Sequence, residues 1–249
     1  MKIGSKVKII IFLILSSLCL TLLAYVLGSL YLPQNADKDT SLECQEITTV
    51  IIDAGHGGED GGASSASGLV EKDVNLDISL TLCDMLTSCG VNVVMTRTND
   101  RLLYDRNVDF KGRKKKLDLA ARLAIADSTD NAIFVSIHMN SYTDPKYSGL
   151  QVWYSQNNPL SYSLAELVQG SNKLYLQPDN NRKTKAATSS INLLYNATCP
   201  AILVECGFLS NTDETALFET EEYRKKVAFM LFSSIVEFLN EKDTASWQS

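Results

Sequence analysis

Six cysteines are scattered along the chain without a CxxC pair, and only two histidines, His56 and His138, occur in 249 residues. The missing pairs exclude a thiolate zinc knuckle and a thioredoxin-like redox motif. Positive charge is also short, with 23 Lys and Arg against 29 Asp and Glu and a net charge of −6. Bulk electrostatics therefore give no reason to expect a nucleic-acid partner, and an anionic polymer would have to be held by shape and hydrogen bonds. No internal repeat is present, so the chain reads as one domain plus a tail. The cysteines beyond Cys19 (Cys44, Cys83, Cys89, Cys199 and Cys206) read by default as buried thiols packing as small apolar residues. A disulfide is open to an exported chain. Cys206, next to Glu205, is a minor candidate for a nucleophile or ligand.

Lys2, Lys6 and Lys8 precede an apolar run, Ile9 to Leu32, of 24 residues, against the roughly 20 that span a bilayer. The run is long for a signal peptide and lacks an Ala-x-Ala site. Residues 1–32 thus read as a membrane anchor in preference to a cleaved signal peptide, with the lysines inside and the domain outside. Cys19 follows Leu18 and does not suit lipidation. Residues 33–46 read as a linker, 47–241 as the domain and 242–249 as a frayed tail.

Within the domain, Thr49 to Ile52 is a buried strand that stops at Asp53-Ala-Gly-His56-Gly-Gly. A helix opens at Glu71, with Leu76, Leu80, Cys83 and Leu86 at helical spacing, and Gly90 closes it. Val91 to Thr96 is the next strand, completing a parallel βαβ unit. Arg101 to Lys116 reads as an irregular, solvated basic stretch, and Leu117 to Ala126 as a helix with Ala120, Leu123 and Ala124 inward. Ala132 to His138 is an apolar strand ending in the second histidine. Gly149 to Tyr154 is a strand and Leu160 to Leu174 a helix. Gln177 to Lys185 reads as exposed, and Ile191 to Tyr195 as a short strand. Ala201 to Glu205 is an apolar strand ending in a carboxylate, after which Thr212 or Asp213 caps a short helix. Glu221 to Asn240 is the last helix. The fold class is α/β: a single domain with a central, mostly parallel sheet flanked by helices, behind the N-terminal hydrophobic segment.

Ligands of such sheets gather at the carboxyl ends of the strands. There the sequence sets His56, His138 and Glu205, with Glu71 at a helix start. Taken singly, each has a plain explanation, a strand or turn cap for a histidine and helix-dipole complementarity for Glu71. Taken together they suit zinc, which in catalytic sites has three protein ligands and one open position. Two histidines and one glutamate would bind the ion, and the other glutamate would move protons for hydrolysis of an amide or ester. Residue types alone leave open which glutamate does which. Asp53 and Asn140 are candidates for orienting a ligand from behind.

Four segments, Asp53-Ala-Gly-His56-Gly-Gly, Glu71-Lys-Asp-Val-Asn-Leu76, Ser136-Ile-His138-Met-Asn140 and Val204-Glu205-Cys-Gly-Phe-Leu-Ser-Asn211, resemble in order the signatures of the zinc-dependent N-acetylmuramoyl-L-alanine amidases. Thr96-Arg97 and Leu119-x-x-Arg122 resemble that family too. The basic insertion at 101–116 and the N-terminal run resemble its germination-specific, spore-cortex subgroup. Asp127 departs from the asparagine often found there. The resemblance implies one Zn2+ held by His56, Glu71 and His138, and Glu205 as catalytic acid/base. It implies a peptidoglycan substrate cut between N-acetylmuramic acid and L-alanine, ahead of muramic lactam formation. It further implies an extracytoplasmic place at the developing spore envelope, with membrane attachment through the N-terminal segment and an accessory protein as possible partners. Two other readings compete. One is a zinc carboxypeptidase, which would need a carboxylate-gripping arginine such as Arg97, Arg122 or Arg182. The other is a catalytically silent wall-binding domain.

Overall fold

Four apolar runs make the parallel core of one sheet. They are β1 (Thr49–Ala54), β2 (Asn92–Met95), β3 (Ala132–Asn140) and, late in the chain, β6 (Ala201–Phe208). The computed structural model describes residues 49–246 apart from 106 and 108–110, all within one compact unit, Gln45–Ser249. The expected anchor and linker lie outside the described residues. Strand order is β2-β1-β3-β6-β4-β5. β4 (Gln151–Tyr154) runs antiparallel to β6, and the two-residue β5 (Lys185–Ala186) pairs parallel with β4. The six-stranded sheet is therefore mixed, its parallel part lying where the sequence led us to expect it.

Successive strand residues point to opposite faces, and the core divides accordingly. Val50, Ile52, Ile133, Val135, Ile202 and Val204 pack under three helices: α1 (Glu71–Ser88), α3 (Pro159–Tyr175) and α6 (Glu221–Ser246). Ile51, Phe134, Ala201 and Leu203 face α2 (Lys114–Asp127) and the short α4 (Asn192–Asn196). The last helix, α5 (Thr212–Phe218), follows β6. Among the described residues no helix is long and apolar enough to cross a membrane.

Several elements differ from the sequence expectation. α1 buries Val74, Ile78, Leu82 and Leu86, while Leu80 is exposed; two apolar stripes overlap on this helix, and the sheet selects one. Lys114 to Lys116 form the first turn of α2 rather than irregular chain. Ile191 to Tyr195 is mostly helix and buries Leu193 and Leu194; a short apolar run has no period long enough to separate strand from helix. Asn180, expected at the surface, is buried and donates to the Leu150 carbonyl. Asn211 caps α5, its side chain accepting from Glu214 N at 3.0 Å. β6 runs on to Phe208 and α6 to Ser246, past the ends expected at Glu205 and Asn240.

The inner stripe of α2 is Asp118, Arg122 and Ala126, with Ala120 and Ala124 left outside. Arg122 is fully buried and lies against Asp53 of β1, Nη1 to Oδ1 at 2.5 Å. Asp53 also accepts from Thr96 Oγ1 at 2.8 Å and Ser136 Oγ at 2.6 Å. Burial alone would raise the Asp53 pKa, but Arg122 and the two hydroxyls outweigh it and hold the carboxyl below its usual range. Removing one member of a buried pair strands the other charge, at about 3–5 kcal/mol. Arg122→Met is therefore expected to lose stability of that order in denaturant unfolding at pH 7, and Asp53→Asn with Arg122→Met to lose less than Arg122→Met alone. Equal stability of wild type and Arg122→Met would show that the pair contributes nothing.

Candidate active site

Past β1 the backbone turns sharply. His56 sits at φ 61°, a left-handed value uncommon for a residue with a side chain. Arg122 Nη2 holds its carbonyl at 2.7 Å. Its ring is fixed on both sides, Nδ1 lying 3.0 Å from Asp60 Oδ1 and Nε2 3.2 Å from Glu71 Oε1. Asp60 is placed by a two-bond bridge with Gly57, at 2.9 and 3.1 Å. On β3, His138 Nδ1 comes within 3.0 Å of the same Glu71 oxygen, and the two imidazoles meet edge to face with centroids 5.0 Å apart.

Glu71, the first residue of α1, is buried. Its Oε1 accepts from Met139 N at 3.0 Å and its Oε2 from Ala63 N at 2.8 Å. Burial would raise its pKa, but the hydrogen bonds and charges of His138 and His56 prevail and hold it well below the usual carboxylate range. Two glycines permit this crowding. A Cβ at Gly55 would fall 2.3 Å from His138 Nε2, and one at Gly62 2.4 Å from Glu71 Oε2.

Glu205 lies directly across from His138 in the β3–β6 register, and cross-strand partners share a face. Its Oε2 is buried with no hydrogen-bond partner among the described residues. Burial, with the nearby Glu71 carboxylate, pushes Glu205 up to about 8 against the opposing effect of His56. Cys206, one residue on, is buried in the core of the opposite face. Burial and the Glu205 charge push its thiol upward, which removes the thiolate a nucleophile needs.

His56, Glu71 and His138 form a group able to hold a metal ion, one ligand atom from each lying within 4.8 Å of the others. The donor chemistry suits zinc. Tetrahedral ligands at about 2.0–2.1 Å from the ion stand about 3.3 Å apart, and the Glu71 oxygen is 3.2 and 3.0 Å from the two imidazole nitrogens.

The supporting residues differ from those expected. Asp53 is hydrogen-bonded to Arg122, Thr96 and Ser136 and to neither imidazole. It bears on His56 only through Arg122, because a buried carboxylate pairs first with the nearest cation. Asn140 accepts from Ser141 N at 2.8 Å and shapes the turn after β3. The carboxylate behind His56 is Asp60, which sequence reasoning missed. Its one signal was an acidic residue four positions after the histidine in a glycine-rich loop. Arg97 and Arg122, candidates for gripping a carboxylate of the substrate, point inward and bind carbonyls of Ala54, Gly55 and His56.

The chain belongs to the N-acetylmuramoyl-L-alanine amidase family, whose model matches residues 50–237. It is 34% identical over 193 residues to the germination-specific N-acetylmuramoyl-L-alanine amidase of Bacillus subtilis, covering 78% of this chain and 80% of that protein. Among solved structures it resembles the CwlD amidase of Clostridioides difficile, determined in complex with the GerS lipoprotein. The two share 36% identity at a TM-score of 0.73 over 78% of this chain and 98% of that one. AmiC2 of Nostoc punctiforme is similar at 33% identity and a TM-score of 0.65, covering 77% and 97%. The motif resemblance, down to the germination-specific subgroup, is thus matched by relatives that cover more than three quarters of the chain.

Carboxylates that hold the far nitrogen of a metal-binding histidine are worth about 10- to 100-fold in metal affinity. Asp60→Ala is expected to weaken zinc binding by that factor in a chelator competition, with an unchanged circular dichroism spectrum. Unaltered affinity would remove Asp60 from the site.

Proposed function

We propose that this amidase is zinc-dependent, with His56, Glu71 and His138 holding the ion and Glu205 as the catalytic acid/base. The observation that carries the reading is the buried Glu205 Oε2 with no donor among the described residues, one strand away from His138. A buried carboxylate left without a partner costs free energy unless a substrate or water completes it. When bound, zinc would polarise the scissile carbonyl and acidify water from about pKa 15.7 to about 7. Glu205 takes a proton from the attacking water and delivers it to the nitrogen of the leaving alanine. The new carbon–oxygen bond replaces the carbon–nitrogen bond, leaving a lactyl carboxylate on the sugar and a free α-amine on the peptide. A nearby cation opposes the upward shift of Glu205, so its working pKa lies below the value set by the protein alone.

The substrate follows the family: peptidoglycan, cut between N-acetylmuramic acid and L-alanine. The germination-specific relative supports a role in the spore cortex, where peptide removal precedes muramic lactam formation. The relative determined with a lipoprotein supports an accessory protein for this chain as well. An extracytoplasmic location, with the apolar segment 9–32 as anchor, completes the reading.

Mass analysis of peptidoglycan digested with and without added zinc tests it. Stem peptides with a free alanine amine should appear only with zinc. Cuts within the peptide would favour a carboxypeptidase, and bound wall without cuts a silent binding domain. Glu205→Ala should keep its zinc and lose about 10²- to 10⁴-fold in rate, whereas His56→Ala should lose both. Zinc lost from Glu205→Ala would make that residue a ligand and overturn the assignment.

A further inference from the structure

Arg182 is hydrogen-bonded to Gln151, the strand neighbour of Glu205, and has no part in the hydrolysis proposed above. β4 sets Gln151 across from Glu205, so His138, Glu205 and Gln151 form one row on one face of the sheet. Gln151 is buried. Its Oε1 accepts from Arg182 Nη1 at 3.1 Å, and its Nε2 donates to the Lys183 carbonyl at 2.6 Å. Arg182 Nε donates to the Ser148 carbonyl at 2.7 Å. The guanidinium lies on the Phe208 ring, its carbon 4.6 Å from the centroid. Arg182 is thus pinned at two points and stacked on an aromatic face.

A guanidinium has five N–H donors. In Arg97 and Arg122 the nitrogens Nε, Nη1 and Nη2 are all engaged by protein oxygens. Arg182 engages only Nε and Nη1 among the described residues, leaving Nη2 open. A fork held in place with one arm free is suited to a carboxylate, which it binds with charge-assisted hydrogen bonds and little loss of side-chain entropy. Arg182 also lines a cleft of about 930 Å³, together with Lys226, Asp179, Asp213 and Glu214. The Arg182 charge acts on the Glu214 carboxylate, but the two Glu214 oxygens are taken by the Gly149 and Phe208 N–H groups, so Nη2 keeps its free donors. A cleft with both signs of charge suits a peptide bearing carboxylates and an amine more than a neutral glycan.

The substrate chemistry says which side of the cut this is. In an N-acetylmuramoyl-L-alanine linkage the lactyl carboxyl is the acyl half of the scissile amide, so that sugar has no free carboxylate. Carboxylates remain only on the peptide beyond the alanine. We propose that Arg182, positioned by Gln151, is a subsite for a carboxylate of the stem peptide on the amine side of the bond. The proposal rests on the amidase reading for the identity of its ligand.

The test uses the full chain and two polymers: peptidoglycan with free stem carboxylates, and the same polymer with them converted to carboxamides by carbodiimide and ammonia. Wild type is expected to lose about 10- to 100-fold in kcat/KM on amidation, the range for a hydrogen bond to a charged group, mainly through KM. Arg182→Gln should be slow on both polymers and indifferent to amidation. Arg182→Lys, which keeps charge but not the fork, should fall between. An Arg182→Gln protein as sensitive to amidation as wild type would overturn the subsite. Sedimentation of the Glu205→Gln protein with each polymer makes the comparison without turnover, and equal binding to the two would also overturn it. A wild type that releases no alanine amines yet binds the free-acid polymer better would sink the amidase reading and leave the subsite standing.

Discussion

The site depends on three carbonyls and two guanidinium groups. Where β1 ends, Ala54, Gly55 and His56 turn their carbonyls toward Arg97 and Arg122, which donate to all three. Buried backbone oxygens need partners, and no neighbouring strand can supply them once the chain leaves the sheet. The same two side chains reach farther. Arg97 donates to the Lys72 carbonyl and so ties the start of α1, where Glu71 stands, to the end of β1. Arg122 joins Asp53 of β1 to Asp118 of α2. The left-handed backbone of His56 and the placement of Glu71 are both consequences of where these cations sit.

What the sequence made legible follows from period and position. Strands ending in His56, His138 and Glu205 could be read because an apolar run followed by a polar residue among glycines is a local signal. Their convergence followed from the parallel arrangement. The stripe Asp118, Arg122, Ala126 was hidden because hydrophobic periodicity counts apolar residues, and two of these three are charged. α1 misled for another reason, since Leu76, Leu80 and Cys83 are as apolar as the Val74, Ile78 and Leu82 that became the core; only the packed sheet distinguishes them. Asp60 was missed because its contact with His56 is made by a glycine bridge, a backbone path that residue types do not encode. Asp53 was given the wrong task, as its nearest partner comes from 69 positions away.

The antiparallel β4 has an effect that an all-parallel sheet would lack. It enters the sheet at the end where the parallel strands leave it, so its first residue, Gln151, arrives next to Glu205. The loop that leads into β4 therefore borders the site, and polar groups of 180–183 close around Gln151 and Leu150. This is also how a chain with an excess of acidic residues keeps a fixed positive group bonded to the strand neighbour of Glu205. Net charge governs attraction at long range, whereas a stacked and hydrogen-bonded arginine acts within contact distance.

The two glutamates show how one side chain acquires opposite properties. Glu71 accepts from two backbone N–H groups and adjoins both imidazoles, which hold its carboxyl below the usual carboxylate range. Glu205 Oε2 is buried without a donor among the described residues, and its affinity for a proton rises. A metal ligand must be a carboxylate under all working conditions, and a proton carrier must both take and release. Donors around Glu205 would recover roughly 1–3 kcal/mol of desolvation, but they would also lower its pKa as they do for Glu71. On this argument the lack of a protein partner at Glu205 among the described residues suits the proton carrier proposed for it, and the contrast between the two glutamates supports the proposed division into ligand and acid/base.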